Sequence, residues 1–261
     1  MSNIPADAFF DTLALAAAAV LVTLAITYAV AKKVHRHNVI DVTWGLLFCC
    51  VAIASFIVSA GEGDDTRRWL LLAMTLVWGS RLAWHMAMRS RGHGEDPRYA
   101  QLLEGRGELG VVMMVYGLQG VIALIVAMPL VVGSLTSEPM GVLAYVGVLV
   151  WLVGIVFETV GDRQMAAYKA DPDRGPVMDS GLWRFTRHPN YFGDACVWVG
   201  IFLITAEHWP GVLTIPSTAL MVYLLAFGSG KRVLERHMAE RPGYRDYMAR
   251  TSGFFPLPPR R

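Results

Sequence analysis

Residues 139–160 read PMGVLAYVGVLVWLVGIVFETV, and the first charged side chain in this run is Glu158. A helix needs about 20 apolar residues to cross the hydrocarbon core of a bilayer, so the run is long enough to span it. Lipid offers the backbone no hydrogen-bond partners, and the run is too long and too uniformly apolar for a barrel strand. It therefore predicts a transmembrane α-helix.

The rest of the chain has the same character. Hydrophobic residues make up 54% of the 261 residues and charged residues 17%, whereas soluble domains are about 45–50% apolar and about 25% charged. We predict an all-α integral membrane protein of about seven transmembrane helices, which forms one membrane domain over residues 1–261. The predicted spans cover residues 9–31, 41–60, 68–88, 110–132, 139–160, 191–206 and 210–229, and the longer connecting segments are 89–109, 161–190 and the tail 230–261.

Lysine and arginine are distributed unevenly between the two sides of this arrangement. Twenty of the 23 basic residues lie in the segments that follow spans one, three, five and seven, and the alternate loops contain only Arg67 and Arg68. Because basic residues favour the cytoplasmic side of a membrane, we expect the N-terminus outside and the C-terminus in the cytoplasm. The expected location is a bacterial inner membrane, with lipids and a lipophilic small molecule as partners.

Several other classes of site are not indicated. We expect no nucleic acid as a partner, although the net charge of +2 by itself decides nothing about this. The cysteines Cys49, Cys50 and Cys196 lie in apolar runs without a CxxC pair, so the sequence predicts neither a zinc site nor a disulfide framework. Residues 105–110 match a G-x-G-x-x-G pattern, but no strand precedes them, and we interpret them as a loop that leads into a helix. The oligomeric state stays open.

The stretch GLWRFTRHPNYFGD at residues 181–194 is the most distinctive polar segment. Its proline favours the start of a helix, and Asn190 and Asp194 then lie on one face of that helix. An acid inside an apolar span is costly, so it should face a partner or a cavity. With Arg187, His188 and Tyr191, this segment predicts a site for a polar ligand. The alternative is a basic anchor beside the membrane and a helix cap.

Further polar residues accompany four predicted helices. Glu158 and Asp162 at the end of span five oppose the helix macrodipole. We expect them to bind a polar ligand, unless nearby basic residues simply neutralise them. Tyr244, Tyr247 and Arg250 share one face of a tail helix. This face either binds a phosphate-bearing ligand or belongs to an amphipathic helix that lies on the membrane surface. Arg81 and His85 are one turn apart in span three. We expect Arg81 to bind a ligand phosphate or to pair with Asp194, unless it only snorkels to the surface. Asp41 opens span two as a proton donor, a substrate anchor or only a helix cap.

Several of these motifs occur together in a known superfamily. The stretches NVIDVTWG, WGSRLAWHMAMRSRGHGEDPRY, GLWRFTRHPNYFGD and ERHMAERPGYRDYMARTSGFFP resemble the steroid 5α-reductase C-terminal superfamily, in its bacterial branch of seven-span proteins. The resemblance covers residues 38–256. It implies a seven-helix fold with an NADPH site that faces the cytoplasm, and reduction of the C=C bond of a lipophilic enone such as a 3-oxo-Δ4-steroid.

The resemblance carries cofactor roles over to Arg81, Asp162, Asn190 and Asp194, and more loosely to Tyr244, Tyr247 and Arg250. The other roles are expectations from the residues themselves. Catalytic roles fall on Asp41 and His85. Substrate contacts fall on Trp44, Trp78 and Tyr116. Cofactor contacts fall on Arg81, Arg91, Asp162, Lys169, Arg187, His188, Asn190, Tyr191, Asp194, Tyr244, Tyr247 and Arg250. The chain lacks the adjacent Gln-Glu pair of the animal steroid reductases in span two, and Trp78 takes the place of a tyrosine in span three. The residues of the superfamily's cofactor site are therefore matched better in this sequence than those of its substrate site.

Two alternatives remain open. The RHPxYxG pattern also occurs in isoprenylcysteine carboxyl methyltransferases, which use S-adenosylmethionine in a related membrane fold, and Glu235 with Tyr244 and Tyr247 fits their tail. The acids at 158 and 162 together with Arg81 favour a dinucleotide instead. The other alternative is a non-catalytic membrane protein that binds a sterol or a lipid.

Overall fold

The computed structural model describes residues 4–96, 99, 103–228 and 230–260, without the side chains of residues 233 and 237. Over these residues the regular structure is helical, and the β-structure is limited to one isolated parallel bridge between Thr186 and Ser252. The prediction of an all-α protein is therefore confirmed. The helices are α1 (Ala6–Val34), α2 (Val39–Val58), α3 (Asp65–Ser90), α4 (Glu108–Ser134), α5 (Val142–Ala170), α6 (Pro189–Ala206), α7 (Ile215–Ala226), α8 (Lys231–Met238) and α9 (Tyr244–Arg250).

Four of these helices are long and apolar enough to cross a membrane: α1, α2, α4 and α5. Large apolar side chains point outward along them, among them Leu21, Ile26, Leu149 and Val153. An exposed apolar surface of this extent is unfavourable in water and suits contact with lipid. A membrane protein with several apolar helices is thus supported by length, composition and exposure.

Helix boundaries follow the sequence closely, except that α5 continues to Ala170, ten residues past the predicted end of span five and into the predicted loop 161–190. Two further differences concern α4 and the tail. The predicted spans one to six each fall on one helix, and the seventh falls on α7 and a 3₁₀ turn before it, Gly211–Thr214. The first of these two differences is α4, in which Val112–Gly117 forms a π-helical segment. The second is the tail, where α8 and α9 are separate helices because Pro242 and Gly243 (φ 76°) interrupt the chain between them.

The chain divides into two compact units, and it passes from one to the other at the start of α5, near the end of α6 and within α7. The N-terminal unit contains Met1–Gly141 and Thr205–Ser217, and the C-terminal unit contains Val142–Ile204 and Thr218–Arg261. In the N-terminal unit, α2 and α3 cross closely at Gly45 and Gly79. A Cβ atom at Gly45 would lie 2.3 Å from the carbonyl oxygen of Gly79, so neither position leaves room for a side chain.

One end of the N-terminal unit is held together by two buried arginines. The Arg67 guanidinium is fully buried, donates to the carbonyl oxygens of Thr136 (3.2 Å) and Glu138 (2.6 Å), and lies 3.7 Å from the Glu207 carboxylate. Arg68 donates from Nε to the Ser59 hydroxyl at 2.9 Å. These contacts join three connecting segments, so both guanidinium groups serve the fold of the protein.

Glycines also allow α5 and α6 to pack closely in the C-terminal unit. Gly147, Gly154 and Gly161 recur at seven-residue spacing on α5, and Gly193 and Gly200 do so on α6. A Cβ atom at Gly154 would lie 2.6 Å from the carbonyl oxygen of Gly193, and one at Gly147 would lie 2.7 Å from that of Gly200. The two antiparallel backbones are therefore almost in contact along their length.

Candidate functional site

The close packing of α5 and α6 buries three carboxylates in the C-terminal unit. Glu158, Asp162 and Asp194 are all less than 9% exposed. Gly193, next to Asp194 in sequence, lies against Glu158, and a Cβ atom there would be 2.5 Å from the Glu158 amide nitrogen. Gly161 lies in the same way against the start of α6 at Asn190. Residues predicted from two separate motifs are thus neighbours on adjoining helix turns.

The turn before α6 is fastened to the tail through Arg187. Its backbone amide donates to the carbonyl oxygen of Ser252 at 2.9 Å. Its Nη1 donates to the carbonyl oxygens of Met248 (2.8 Å) and Thr251 (2.7 Å). A guanidinium group offers five N–H donors in a fixed planar arrangement, and here it satisfies carbonyls at the end of α9. Arg187 therefore holds the tail in place, whether or not it also contacts a ligand.

Glu235 of α8 is the anionic partner of this turn. Its Oε1 accepts hydrogen bonds from Nε of Arg187 at 2.8 Å and from Nε2 of His188 at 3.0 Å. The His188 ring stacks on Tyr191, with ring centroids 5.3 Å apart. Two residues that the sequence predicts for the cofactor, Arg187 and His188, are therefore positioned by an acid in α8.

The electrostatics of this cluster follow from burial and pairing. Burial of the Glu235 carboxyl opposes ionisation, but the hydrogen bonds from His188 and Arg187 outweigh it and lower the pKa of Glu235 to about 2. Burial lowers the pKa of His188, against the opposing effect of Glu235. At neutral pH the cluster therefore contains a neutral imidazole that donates through Nε2–H to an ionised carboxylate.

The predicted tail tyrosines are buried in the C-terminal unit. Tyr247 donates from its hydroxyl to the carbonyl oxygen of Trp183 at 2.5 Å, and its ring contacts that of Tyr244. Burial raises the pKa of Tyr244 to about 12 and raises that of Tyr247 as well. Arg250 is half exposed and pairs with Asp179. The tyrosines thus act in packing, and Arg250 is the more accessible group.

A second polar cluster lies in the N-terminal unit, where α2 begins. Asp41, in the first turn of α2, accepts a hydrogen bond of 2.6 Å from the Tyr99 hydroxyl. Glu95 accepts hydrogen bonds from the backbone amides of His37 (2.5 Å) and Asn38 (3.0 Å). A carboxylate at this position satisfies amides that no helix carbonyl can reach. The NVIDVTWG and GHGEDPRY motifs are therefore in direct contact.

Tyr116 belongs to the same cluster and lies in the π-helical segment of α4. Its side chain is only 3% exposed, and its hydroxyl lies 2.8 Å from Nδ1 of His37. The Tyr28 ring packs edge-on against Tyr116, with centroids 5.3 Å apart. Single π-helical turns inside α-helices often occur at functional sites. This one places a buried hydroxyl beside an imidazole, which is an arrangement that can transfer a proton.

The remaining predicted residues lie elsewhere in the two units. Trp44 and the buried Trp78 both pack against Phe48, at centroid distances of 5.3 and 5.6 Å. Arg81 and His85 are half-buried on α3. Arg91 is exposed just after α3, and Lys169 is exposed near the end of α5. Arg81 and Arg91 belong to the N-terminal unit, whereas the other predicted cofactor residues belong to the C-terminal unit.

Comparison with known proteins adds one finding. A family model described as a protein of unknown function (DUF1295) matches residues 27–251, which is most of the chain. The chain belongs to the DUF1295 family. No curated protein and no solved structure matches it. The predicted site residues of this DUF1295 protein all lie inside the matched segment, and the tail beyond Thr251 extends past it.

Several residues of these clusters, among them His37, Glu95, Tyr99 and Glu235, are absent from the predicted site. His37 lies beside the NVIDVTWG motif and Tyr99 lies in the GHGEDPRY motif, so both motifs are signals in the sequence, although the contact between Tyr99 and Asp41 is not. Glu235 was noted only for the methyltransferase alternative. Among the described residues, no group of three or more His, Cys, Asp or Glu side chains could hold a metal ion.

Proposed function

We propose that this DUF1295 protein is an NADPH-dependent membrane reductase of the steroid 5α-reductase superfamily, acting on the C=C bond of a lipophilic enone. In this proposal α1 to α7 form seven spans, with the N-terminus outside and the C-terminus in the cytoplasm. The burial of Arg67 and Arg68 supports this orientation. These are the two basic residues of the outer loops, and their guanidinium groups bind other parts of the protein, so they do not form a basic outer surface. The expected location is a bacterial inner membrane.

The donor groups of the C-terminal unit fit the proposed cofactor. Carboxylates such as Asp162 and Asp194 can accept hydrogen bonds from ribose hydroxyls, as acids do in other nucleotide sites. The amide of Asn190 can both donate to and accept from a carboxamide group. NADPH, when bound, supplies a hydride. Arg187, His188 and Glu235 would keep the start of α6, and with it Asn190, in a fixed position.

Tyr116 carries the proposal of a reductase, because enone reduction needs a proton donor and carboxyl methyl transfer does not. We expect its hydroxyl to donate to the carbonyl oxygen of the substrate while the oxygen accepts from Nδ1–H of His37. Asp41, the donor expected from the sequence, accepts a hydrogen bond from Tyr99. We therefore assign proton donation to Tyr116, and assign to Asp41 the positioning of Tyr99.

NADPH oxidation by the purified protein with a panel of enones tests this function. We expect turnover of at least one lipophilic enone. Tyr116→Phe should lower kcat by about 100-fold or more, in line with the loss of a general acid, without changing NADPH affinity. The control is Tyr145→Phe, which removes the hydroxyl of an outward-facing tyrosine on α5. Bound NADPH without turnover of any enone would favour the non-catalytic sterol- or lipid-binding alternative.

A further inference from the structure

The tail of the C-terminal unit forms a small basic cleft. It has a volume of about 250 Å³, and its walls include Arg187, Arg250, Arg260, Ser252 and Gly253. Sites for drug-sized molecules usually measure about 300–1,000 Å³. The cleft is therefore suited to a single charged group rather than to a whole dinucleotide.

Two cationic groups converge on Gly253 at this cleft. A Cβ atom at Gly253 would lie 2.7 Å from Nζ of Lys231 and 3.0 Å from Nη2 of Arg187. Both nitrogens thus face the same small space, which exists because residue 253 has no side chain. The Arg187 side chain is only 10% exposed. Like charges held this close in a partly buried position repel each other unless an anion lies between them.

The carboxylates nearby leave positive charge in excess. Among the described residues, the acids that pair with these cations are Glu235, which binds Arg187, and Asp179, which binds Arg250. Arg260 adds a positive charge to the wall of the cleft, and Lys231 adds another beside Gly253. Arg260 lies beyond the segment that matches the family model, which ends at residue 251.

We propose that this cleft binds a phosphoryl group, with Lys231, Arg187, Arg250 and Arg260 as its cationic ligands. Guanidinium groups match phosphate oxygens with paired donors, and an ammonium group adds a compact charge. The phosphoryl group comes from a nucleotide, from a phospholipid headgroup or from free phosphate. Only the nucleotide source rests on the proposed function.

Equilibrium binding to the purified full-length protein in lipid nanodiscs tests the site in three arms. The first compares NADPH with NADH, which lacks the 2′-phosphate. The second uses inorganic phosphate. The third compares nanodiscs of phosphatidylcholine alone with nanodiscs that contain phosphatidic acid, and counts the phosphatidic acid retained after purification by mass spectrometry. Soluble ligands are measured by calorimetry.

Two variants and two controls make the test specific. Lys231→Gln removes one cation, and Gly253→Ala places a methyl group where Lys231 and Arg187 converge. Arg232→Gln removes the same charge from the exposed neighbouring residue of α8. Gly175→Ala adds a methyl group where nothing lies within 4 Å. Unfolding temperatures show whether each variant folds. If Gly253→Ala does not fold, the result is decided by Lys231→Gln alone.

We expect Lys231→Gln and Gly253→Ala to weaken phosphoryl binding about tenfold in at least one arm, as loss of a charged hydrogen bond does, while both controls stay close to wild type. The arm that responds identifies the source. Equal effects of Lys231→Gln and Arg232→Gln, or no effect in any arm, would overturn the proposal.

If wild type binds phosphate or phosphatidic acid but neither nucleotide, the phosphoryl site in the cleft is supported and the assignment of NADPH as the cofactor fails. If NADPH and NADH bind equally and no variant matters, the cleft fails and the cofactor assignment stands.

Discussion

Oε1 of Glu235 lies 2.8 Å from Nε of Arg187, so an acid in α8 holds the arginine that precedes α6. The same oxygen accepts from His188 at 3.0 Å, and Arg187 in turn binds the carbonyls of Met248 and Thr251. One carboxylate thereby fixes the turn that carries Asn190 into α6. The position of the candidate cofactor residues depends on this contact.

Glu235→Gln should therefore destabilise the protein at neutral pH. The carboxyl has its pKa lowered from 4.5 to about 2, and such a shift corresponds to about 3 kcal/mol of folding free energy. We expect a loss of this order in the free energy of unfolding, measured by denaturant titration in detergent. Glu240→Gln, an exposed acid after α8, is the control and should have little effect.

The pH dependence of this contribution has a definite sign. Because the pKa of Glu235 is lower in the folded protein, its stabilisation is complete above pH 4.5 and is lost as the pH falls towards 2. Wild type should therefore lose more stability than Glu235→Gln over this window when unfolding is followed at a series of pH values. Parallel curves for the two proteins would show that the carboxylate contributes nothing.

The contact between α5 and α6 predicts a strong effect of added volume. A methyl group in Gly154→Ala would lie 2.6 Å from the carbonyl oxygen of Gly193, and the helices must move apart to admit it. Overpacking of this kind typically costs about 1–3 kcal/mol. We expect a clearly lower unfolding temperature for Gly154→Ala, whereas Gly175→Ala should match wild type. A tolerated Gly154→Ala would mean that the two helices are not in close contact.

Arg67 provides a similar test in the N-terminal unit. Arg67→Met leaves the Glu207 carboxylate and the carbonyls of Thr136 and Glu138 without their buried donor. Breaking a buried ion pair by removing one partner costs about 3–5 kcal/mol. Chemical unfolding of Arg67→Met should show a loss of this order, and the exposed Arg245→Met should change stability by no more than about 0.5 kcal/mol. Equal stabilities of these two variants would contradict a structural role for Arg67.

Much of the fold could be predicted from the sequence, because lipid imposes simple rules on length and hydropathy. The apolar runs locate helices α1 to α7, and Pro242 with Gly243 divides the tail. The π-helical segment of α4 could not be predicted, since Val112–Gly117 is ordinary apolar sequence and its geometry depends on packing. The seven-residue glycine spacing on α5 and α6 was visible, but only the structure shows that these glycines face each other.

The candidate site was predictable only in part, for a related reason. Rare polar residues in apolar runs, such as Asp162 and Asp194, can be recognised in the sequence, because a charged side chain in such a run is energetically unfavourable unless it has a function or a partner. Partners that are distant in sequence cannot be recognised in this way, because the pairing of Asp41 with Tyr99 or of Arg187 with Glu235 is set by tertiary structure. Lys231 and Gly253 were missed altogether, since a lysine and a glycine in a polar tail are unremarkable until they are seen in contact.

Equilibrium binding of NADPH and S-adenosylmethionine to the purified protein in nanodiscs tests the central claim most directly. We predict that NADPH binds, that S-adenosylmethionine does not compete with it, and that Asp194→Asn weakens NADPH binding by about tenfold. Binding of S-adenosylmethionine without binding of NADPH would contradict the assignment of this protein as a reductase.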